Sequence, residues 1–228
     1  MHKLSIIIPV FNEVGTLERI LEAIESVPLP IEREIILVDD YSTDGSRDVI
    51  KKLSNRYITV LLTKNQGKGA AIQAGLKTAS GDYVLIQDAD LEYDPKDIIK
   101  LIREVTGNGA TVVYGSRNLI KNPRFKQSYY YGGKLVTAIT NTLFGTKLTD
   151  VNTCYKLYPT DFLRSLNLKE KKFSFCEEAT AKTLRRGMTI KEVPISYTPR
   201  TIMEGKKLRV IDGVRAIITV VKNRYSEQ

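Results

Sequence analysis

Leu4-Ser5-Ile6-Ile7-Ile8-Pro9-Val10-Phe11-Asn12-Glu13 is a short, β-branched run that breaks into a polar loop, the pattern of a buried strand delivering an acid at its end. Outward from it the unit recurs. A helix is predicted at about 15–26, where Leu17, Ile20, Leu21 and Ile24 share one face at i, i+3, i+4, i+7 spacing, and Pro28 and Pro30 stop it. Glu34–Val38 reads as a second strand ending in Asp39-Asp40, and Ser42-Thr43-Asp44-Gly45-Ser46 supplies turn and cap chemistry for a helix near 46–54. Thr59–Leu62 is a third strand, Gly69–Ala79 a small-residue helix, and Tyr83–Gln87 a fourth strand running into Asp88-Ala89-Asp90. A helix from Pro95 through Ile98, Ile99 and Ile102 precedes a fifth strand, Thr111–Tyr114. This alternation, without internal repeats, implies an α/β fold whose mostly parallel central sheet is flanked by helices on both faces. Such sheets bind ligands beyond the carboxyl ends of their strands.

After Gly115 the alternation stops. Residues 121–149 are basic and aromatic, with an amphipathic helix expected around 131–144; residues 150–198 mix short strands with a helix near 177–186, and 207–223 reads as a terminal helix. No linker separates the parts, so residues 1–228 are expected to form a single domain.

Composition narrows the chemistry. With 228 residues, 42% hydrophobic and 27% charged, the chain is neither disordered nor collagenous. A chain of this size buries roughly 70% of its unfolded surface and needs no disulfide or structural metal. Two cysteines, Cys154 and Cys176, and one histidine, His2, exclude a zinc site, a haem site and a histidine-dependent triad as the main chemistry. The N-terminus lacks a signal-peptide pattern, and the apolar runs fall far short of the ~18 residues of a membrane span. The expected location is cytoplasmic, soluble or peripheral on the cytoplasmic face of a membrane. The charge is uneven: 13 basic and 17 acidic residues in 1–115 sum to −4, whereas 22 and 9 in 116–228 sum to +13.

Glu13, the Asp39-Asp40 pair and Asp88-Ala89-Asp90-Leu91-Glu92 lie at or beyond three strand ends, which the crevice rule brings to one site. So many carboxylates together call for a cation. Carboxylates at i, i+2 on an extended segment point the same way, so Asp88 and Asp90 can face one ligand. Hard divalent ions such as Mg²⁺ accept one or two carboxylates, substrate phosphate oxygens and water. Lys68 in Gly67-Lys68-Gly69 lacks the full phosphate-loop spacing and reads as a closely packed helix start.

The motifs Ile7-Ile8-Pro9-Val10-Phe11-Asn12-Glu13, Val38-Asp39-Asp40-x-Ser42-x-Asp44-Gly45, Asn65-x-Gly67-Lys68-Gly69 and Gln87-Asp88-Ala89-Asp90-Leu91 together resemble the family 2 inverting glycosyltransferases of GT-A fold, a Rossmann-like nucleotide-diphospho-sugar transferase architecture. Within that family the chain most resembles the dolichyl-phosphate mannosyltransferase and polyprenyl-phosphate glycosyltransferase branch. Gly115-Ser116-Arg117, Asp150-x-Asn152-Thr153, Glu192-Val193-Pro194-Ile195-Ser196-Tyr197 and Arg200-x-x-x-Glu204-Gly205-Lys206 extend the resemblance over about the whole chain. It implies a nucleotide-sugar-binding half, 1–115, and an acceptor-binding half with interfacial helices, 116–228. It further implies that Pro9, Phe11, Glu13, Val38, Asp40, Asp88, Ala89 and Lys206 bind a GDP- or UDP-sugar. Asp90 and Glu92 would hold Mg²⁺ or Mn²⁺, Asp88, Asp90, Arg117 and Arg200 would serve transfer of a hexose (mannose or glucose), and Arg117 and Arg124 the acceptor.

A dolichyl or polyprenyl phosphate, largely dianionic at neutral pH, attacks unaided. A glycan hydroxyl would need a base, for which Glu177 or, foremost, Glu178 is the candidate, although acids there also suit a helix N-terminus. Cations and tyrosines interleaved over Lys121–Tyr131 suit a membrane interface, and Leu135, Val136, Ile139, Leu143 and Phe144 fit one helix face that serves either core or lipid. The chain carries one basic C-terminal helix where some relatives append membrane spans, so a membrane-protein partner is a further expectation; nucleic acid is not. Cys154 stands where the branch's Asp-x-Thr-Ser-Gly-Phe-like stretch has a glycine that lets backbone approach a ligand. Two other readings compete: a sugar nucleotidyltransferase, for which Phe11-Asn12-Glu13-Val14-Gly15 lacks the glycine-rich signature, and a non-catalytic basic membrane-surface module.

Overall fold

The computed structural model describes residues 1–201 and 210–225; Glu204, Gly205 and Lys206 of the basic motif lie outside the described residues. The elements run β1 (Lys3–Val10), α1 (Leu17–Ser26), β2 (Glu32–Asp39), α2 (Ser46–Lys52), β3 (Ile58–Leu61), α3 (Lys68–Thr78), β4 (Tyr83–Ile86), α4 (Ile98–Thr106, entered through a 3-10 turn), β5 (Val112–Ser116), α5 (Gln127–Phe144), β6 (Lys156–Pro159), α6 (Thr160–Ser165), α7 (Phe175–Arg185), β7 (Ile190–Pro194) and α8 (Val210–Tyr225). Each element foreseen in the first 115 residues is present, displaced by a residue or two at its ends. The helix expected at 131–144 begins earlier, at Gln127.

One seven-stranded sheet, ordered β3-β2-β1-β4-β6-β5-β7, runs through both halves of the chain. It is parallel except at β6, which is antiparallel to β4 and to β5. The chain builds outward from β1 to β2 and β3, then returns to place β4 on the other side of β1. That reversal is the topological switch point, where a crevice opens past the strand ends.

The period-2 alternation of β1 explains why both faces are covered. Leu4, Ile6, Ile8 and Val10 face one way, against Leu17, Ile20, Leu21 and Ile24 of α1 and Ile98, Leu101 and Ile102 of α4. Ile7 faces the other way, with Ala71 and Leu76 of α3, Leu163 of α6 and Ala179 of α7. Burying each such side chain contributes about 1.5–3 kcal/mol. Val38, expected at the nucleotide, is fully buried in this second cluster, because its position on the β2 pleat turns it toward α3 and away from the cleft.

The small residues of α3 are there for close approach. A methyl at Gly69 would run into the Glu170 carbonyl oxygen and lie 2.9 Å from that of Lys172. Glycine to alanine in a helix ordinarily gains up to about 1 kcal/mol. Here displacement of packed backbone, about 1–3 kcal/mol, outweighs it. Gly69→Ala is therefore expected to lower the urea unfolding midpoint, and an unchanged or raised midpoint would contradict the packing described.

Candidate active site

Beyond the ends of β1 and β4 the chain encloses a cleft of about 1450 Å³. Single small-molecule sites span about 300–1,000 Å³, so two substrates fit. Pro9, Phe11, Glu13, Asp40, Asp88 and Ala89 line it, as do Asp90 and Glu92. The second half contributes Arg117, Arg124, Lys126, Lys134, Glu177 and Arg200 to the lining.

The turns that aim these side chains are strained. Asn12 and Tyr41, each two residues past a strand end, and Leu91, between Asp90 and Glu92, have positive φ values of 54°, 64° and 62°. Asn12 is held by Ser42 Oγ on its amide and by its own carboxamide oxygen on Thr43 N, at 3.0 and 2.8 Å. Leu91 reverses the chain between Asp90 and Glu92. Asp39 does not line the cleft; its carboxylate accepts from Ser42 N at 3.1 Å and lies 3.5 Å from Arg47 Nε. Asp40 lines the cleft while accepting from Gln66 N and Gly67 N, both at 2.7 Å, so it fixes the loop before α3. Its burial raises its carboxyl above the ordinary range against the pull of those two amides.

Arg200 stands among the acids. Its guanidinium reaches Glu13 at 2.8 and 3.2 Å and Asp90 at 2.9 Å, with Glu92 3.8 Å from Nε. Glu92 is the tether that brings it there, accepting from Tyr197 Oη at 2.6 Å and from the Arg200 amide at 2.9 Å. Glu92 thus anchors the 197–200 segment, which departs from its expected role as a metal ligand. Burial, then the charges of Asp88 and Glu92, push the Asp90 carboxyl up to about 7 against the pull of Arg200.

The donor chemistry nevertheless fits a hard divalent cation. Asp88 and Asp90 offer oxygen ligands on one side of a cleft with room for a diphosphate, and Mg²⁺ needs no more protein carboxylates than these. Among the described residues no cluster of three acidic, cysteine or histidine side chains could enclose a metal alone.

Lys68, read as a packing residue, belongs to the site. Its ammonium lies 2.5 Å from Asp88 and 2.9 Å from Cys154 Sγ. Burial opposes the charge, but Asp88 and the neighbouring thiols hold it well above the ordinary lysine range. No spacing rule signals this, because the partners come from strand ends far apart in sequence. Arg117 forms a two-pronged pair with buried Asp150, at 2.7 and 2.8 Å, and lies 5.1 Å from the centre of the Tyr197 ring. Arg124 is exposed at the rim, stacked 3.8 Å from the centre of the Tyr130 ring.

Glu178, the foremost candidate base, is turned away. It accepts from the amides of Lys169 and Glu170 and pairs with Lys182 at 2.7 Å, holding the loop before α7. Its neighbour Glu177 lines the cleft.

A largely parallel α/β sheet with an acid-lined crevice at its switch point is the architecture of a GT-A fold. Glucosyl-3-phosphoglycerate synthase from Mycobacterium tuberculosis, solved with UDP, shares this fold with a TM-score of 0.76 at 18% identity, over 100% of this chain and 82% of that one. The same enzyme with Mn²⁺, UDP and glucosyl-3-phosphoglycerate gives 0.74 at 20% identity, over 98% and 80%. The chain belongs to glycosyl transferase family 2, whose profile matches residues 5–166. Relatives include an undecaprenyl-phosphate 4-deoxy-4-formamido-L-arabinose transferase from Pseudomonas fluorescens, 28% identical over 96% of this chain and 65% of its own length. Dolichol-phosphate mannosyltransferase from Pyrococcus furiosus is 38% identical over 50% of this chain and 33% of its own. The chain therefore spans less than two thirds of each of these relatives.

Glu177 is pushed up to about 8, chiefly by burial and then by the charge of Cys176. The folded state thus holds a proton that the unfolded state releases near its ordinary value of 4.5. The stability this lends is complete below that value and is lost as pH rises toward about 8. Glu177→Gln, which mimics the neutral acid, is expected to remove this fall. Urea midpoints measured from pH 5 to 8 should decline less in the variant than in the parent; parallel curves would contradict the assignment.

Proposed function

We propose that this domain transfers a hexose from a GDP- or UDP-sugar to a polyprenyl phosphate at a membrane surface, by one displacement that inverts the anomeric carbon. The observation that carries this reading is the polarity of the cleft. One continuous space joins the acids at the ends of β1 and β4 to a basic, aromatic rim. The 1–115 half would take the donor and the 116–228 half the acceptor.

Pro9, Phe11 and Glu13 would frame the nucleoside, with Asp40 holding the loop beside it. Asp90, together with Asp88, would hold Mg²⁺ or Mn²⁺, which when bound supplies positive charge to the diphosphate leaving group. Lys68 adds a fixed cation next to Asp88, and Arg200 is delivered to the same acids by Glu92. Arg117, aimed by Asp150, and Arg124 would receive the acceptor's anionic head. A lipid phosphate attacks as a dianion, and this agrees with a cleft in which Glu178 is committed to backbone amides and Glu177 is protonated at neutral pH.

Membrane contact has its own support. Ile211, Val214, Ile218, Val221 and Tyr225 expose one stripe along α8, while the opposite side of that helix packs Ala216 and Val220 on Val136 of α5. Leu135, on the α5 face read as serving either core or lipid, is also 54% exposed. Lys121, Lys126 and Lys134 near this surface suit anionic lipid. Among the described residues no helix is long and apolar enough to cross a membrane, so contact would be at the surface.

The test is a transfer screen across GDP- and UDP-sugars with Mg²⁺ or Mn²⁺, with and without polyprenyl phosphate in vesicles. Sugar should appear on the lipid phosphate, and Asp90→Asn should reduce the rate by about a hundredfold or more while the circular-dichroism spectrum is kept. Full activity in that variant, or transfer only to hydroxyl acceptors, would overturn the reading.

A further inference from the structure

The two cysteines of the chain are 22 residues apart in sequence and meet on the floor of the cleft, their sulfurs 3.9 Å apart. Both are free thiols and both line the cavity, Cys154 half-buried and Cys176 buried. Cys154 lies in the segment leading to β6, and Cys176 is the second residue of α7, where the helix dipole favours an anion. Lys68 Nζ donates to Cys154 Sγ at 2.9 Å. On the core side, Lys156 is fully buried, bonded to the Val151 carbonyl at 2.9 Å and to Thr180 Oγ1 at 3.2 Å.

We infer that Cys154 and Cys176 form a dithiol modification site that a small hydroperoxide closes to a disulfide. Cys176 Sγ donates to Cys154 Sγ, and Lys68 Nζ donates to the same sulfur at 2.9 Å, so a negative charge on the pair has a fixed ammonium beside it. The thiolate is the nucleophile, so the pair is placed to react.

The thiolate of the pair attacks one peroxide oxygen, the O–O bond breaks, and hydroxide departs, leaving a sulfenic acid on that cysteine. The second thiol then attacks that sulfur; the S–S bond forms, the S–O bond breaks, and the oxygen departs as water with the proton that thiol gives up. In sum, two thiols and one hydrogen peroxide yield one disulfide and two waters, with two electrons passing from sulfur to peroxide. A disulfide spans about 2.05 Å, so the sulfurs must approach by about 1.9 Å from their present separation. Closure removes the thiol from Lys68, the cation that pairs with Asp88. On the proposed function, on which this consequence rests, it would weaken donor binding.

The experiment treats the chain with one to five equivalents of hydrogen peroxide under native conditions, then alkylates and maps peptides. A 2 Da loss of intact mass and a Cys154–Cys176 cross-linked peptide are expected, both reversed by dithiothreitol. Cys154→Ser and Cys176→Ser should each lose the 2 Da change and form no intramolecular cross-link. Nucleotide binding measured by calorimetry should weaken at least about tenfold in the oxidised parent (about 1.4 kcal/mol) and recover on reduction. Two alkylatable thiols after treatment, or cross-links only between molecules, would overturn the inference. The mass and peptide readouts need neither a variant nor a substrate, so they stand apart from the proposed function. Unchanged nucleotide affinity in the oxidised form would remove the consequence for the donor.

Discussion

Negative charge crowded at the switch point is the constraint on which the rest of this structure depends. Glu13, Asp40, Asp88, Asp90 and Glu92 approach one cleft because three strands end there. Two like charges 4 Å apart oppose each other by about 4 kcal/mol at a protein-surface dielectric, so the cluster persists only with compensation. Among the described residues, Arg200 bridges Glu13 and Asp90, Lys68 covers Asp88, and backbone amides bind Asp40. Burial, more than the neighbouring carboxylates, raises the Asp90 carboxyl to about 7.

This gives the charge asymmetry of the chain a structural meaning. The acids belong to the first half, and Arg200 comes from the second, carried by β7 and the segment tied to Glu92. Arg117 is more inward-looking than a free phosphate binder would be, since Asp150 occupies two of its nitrogens. Removing one partner of such a buried pair costs about 3–5 kcal/mol, so the pair works as a fixed unit that presents the remaining edge of the guanidinium. The two halves are therefore joined electrostatically as well as by β6, which enters the sheet between β4 and β5.

Much of this was legible in the sequence, for identifiable reasons. Period-2 runs in β1 and the i, i+3, i+4, i+7 faces of α1 and α4 are set by core burial, and local pattern records burial directly. Acids that follow a strand inherit their location from the crevice rule, which is why Glu13, Asp88 and Asp90 were placed together. Orientation is what local pattern does not record. Val38 is two residues from Asp40 yet is buried in the core, and adjacent Glu177 and Glu178 diverge, one into the cleft and the other onto the amides before α7. Lys68 was hidden for a related reason: its partners, Asp88 and Cys154, are 20 and 86 residues away in sequence, and only the fold brings them near.

The strained turns point to the site independently of any motif. A left-handed residue other than glycine costs about 1–2 kcal/mol, and Asn12, Tyr41 and Leu91 each bear it next to an acid of the cleft. Asn12 recovers part of that cost through hydrogen bonds with Ser42 and Thr43. Leu91 has no polar side chain with which to do so, and its compensation lies in the neighbours it positions: Asp90 accepts from the Glu92 amide at 3.1 Å, and Glu92 tethers Arg200. Strain of this kind survives where surrounding contacts over-determine the backbone. At Leu91 those contacts are the same ones that balance the charge of the cleft, so the turn and the cation are held through one residue, Glu92, by its amide on Asp90 and its carboxylate on Arg200.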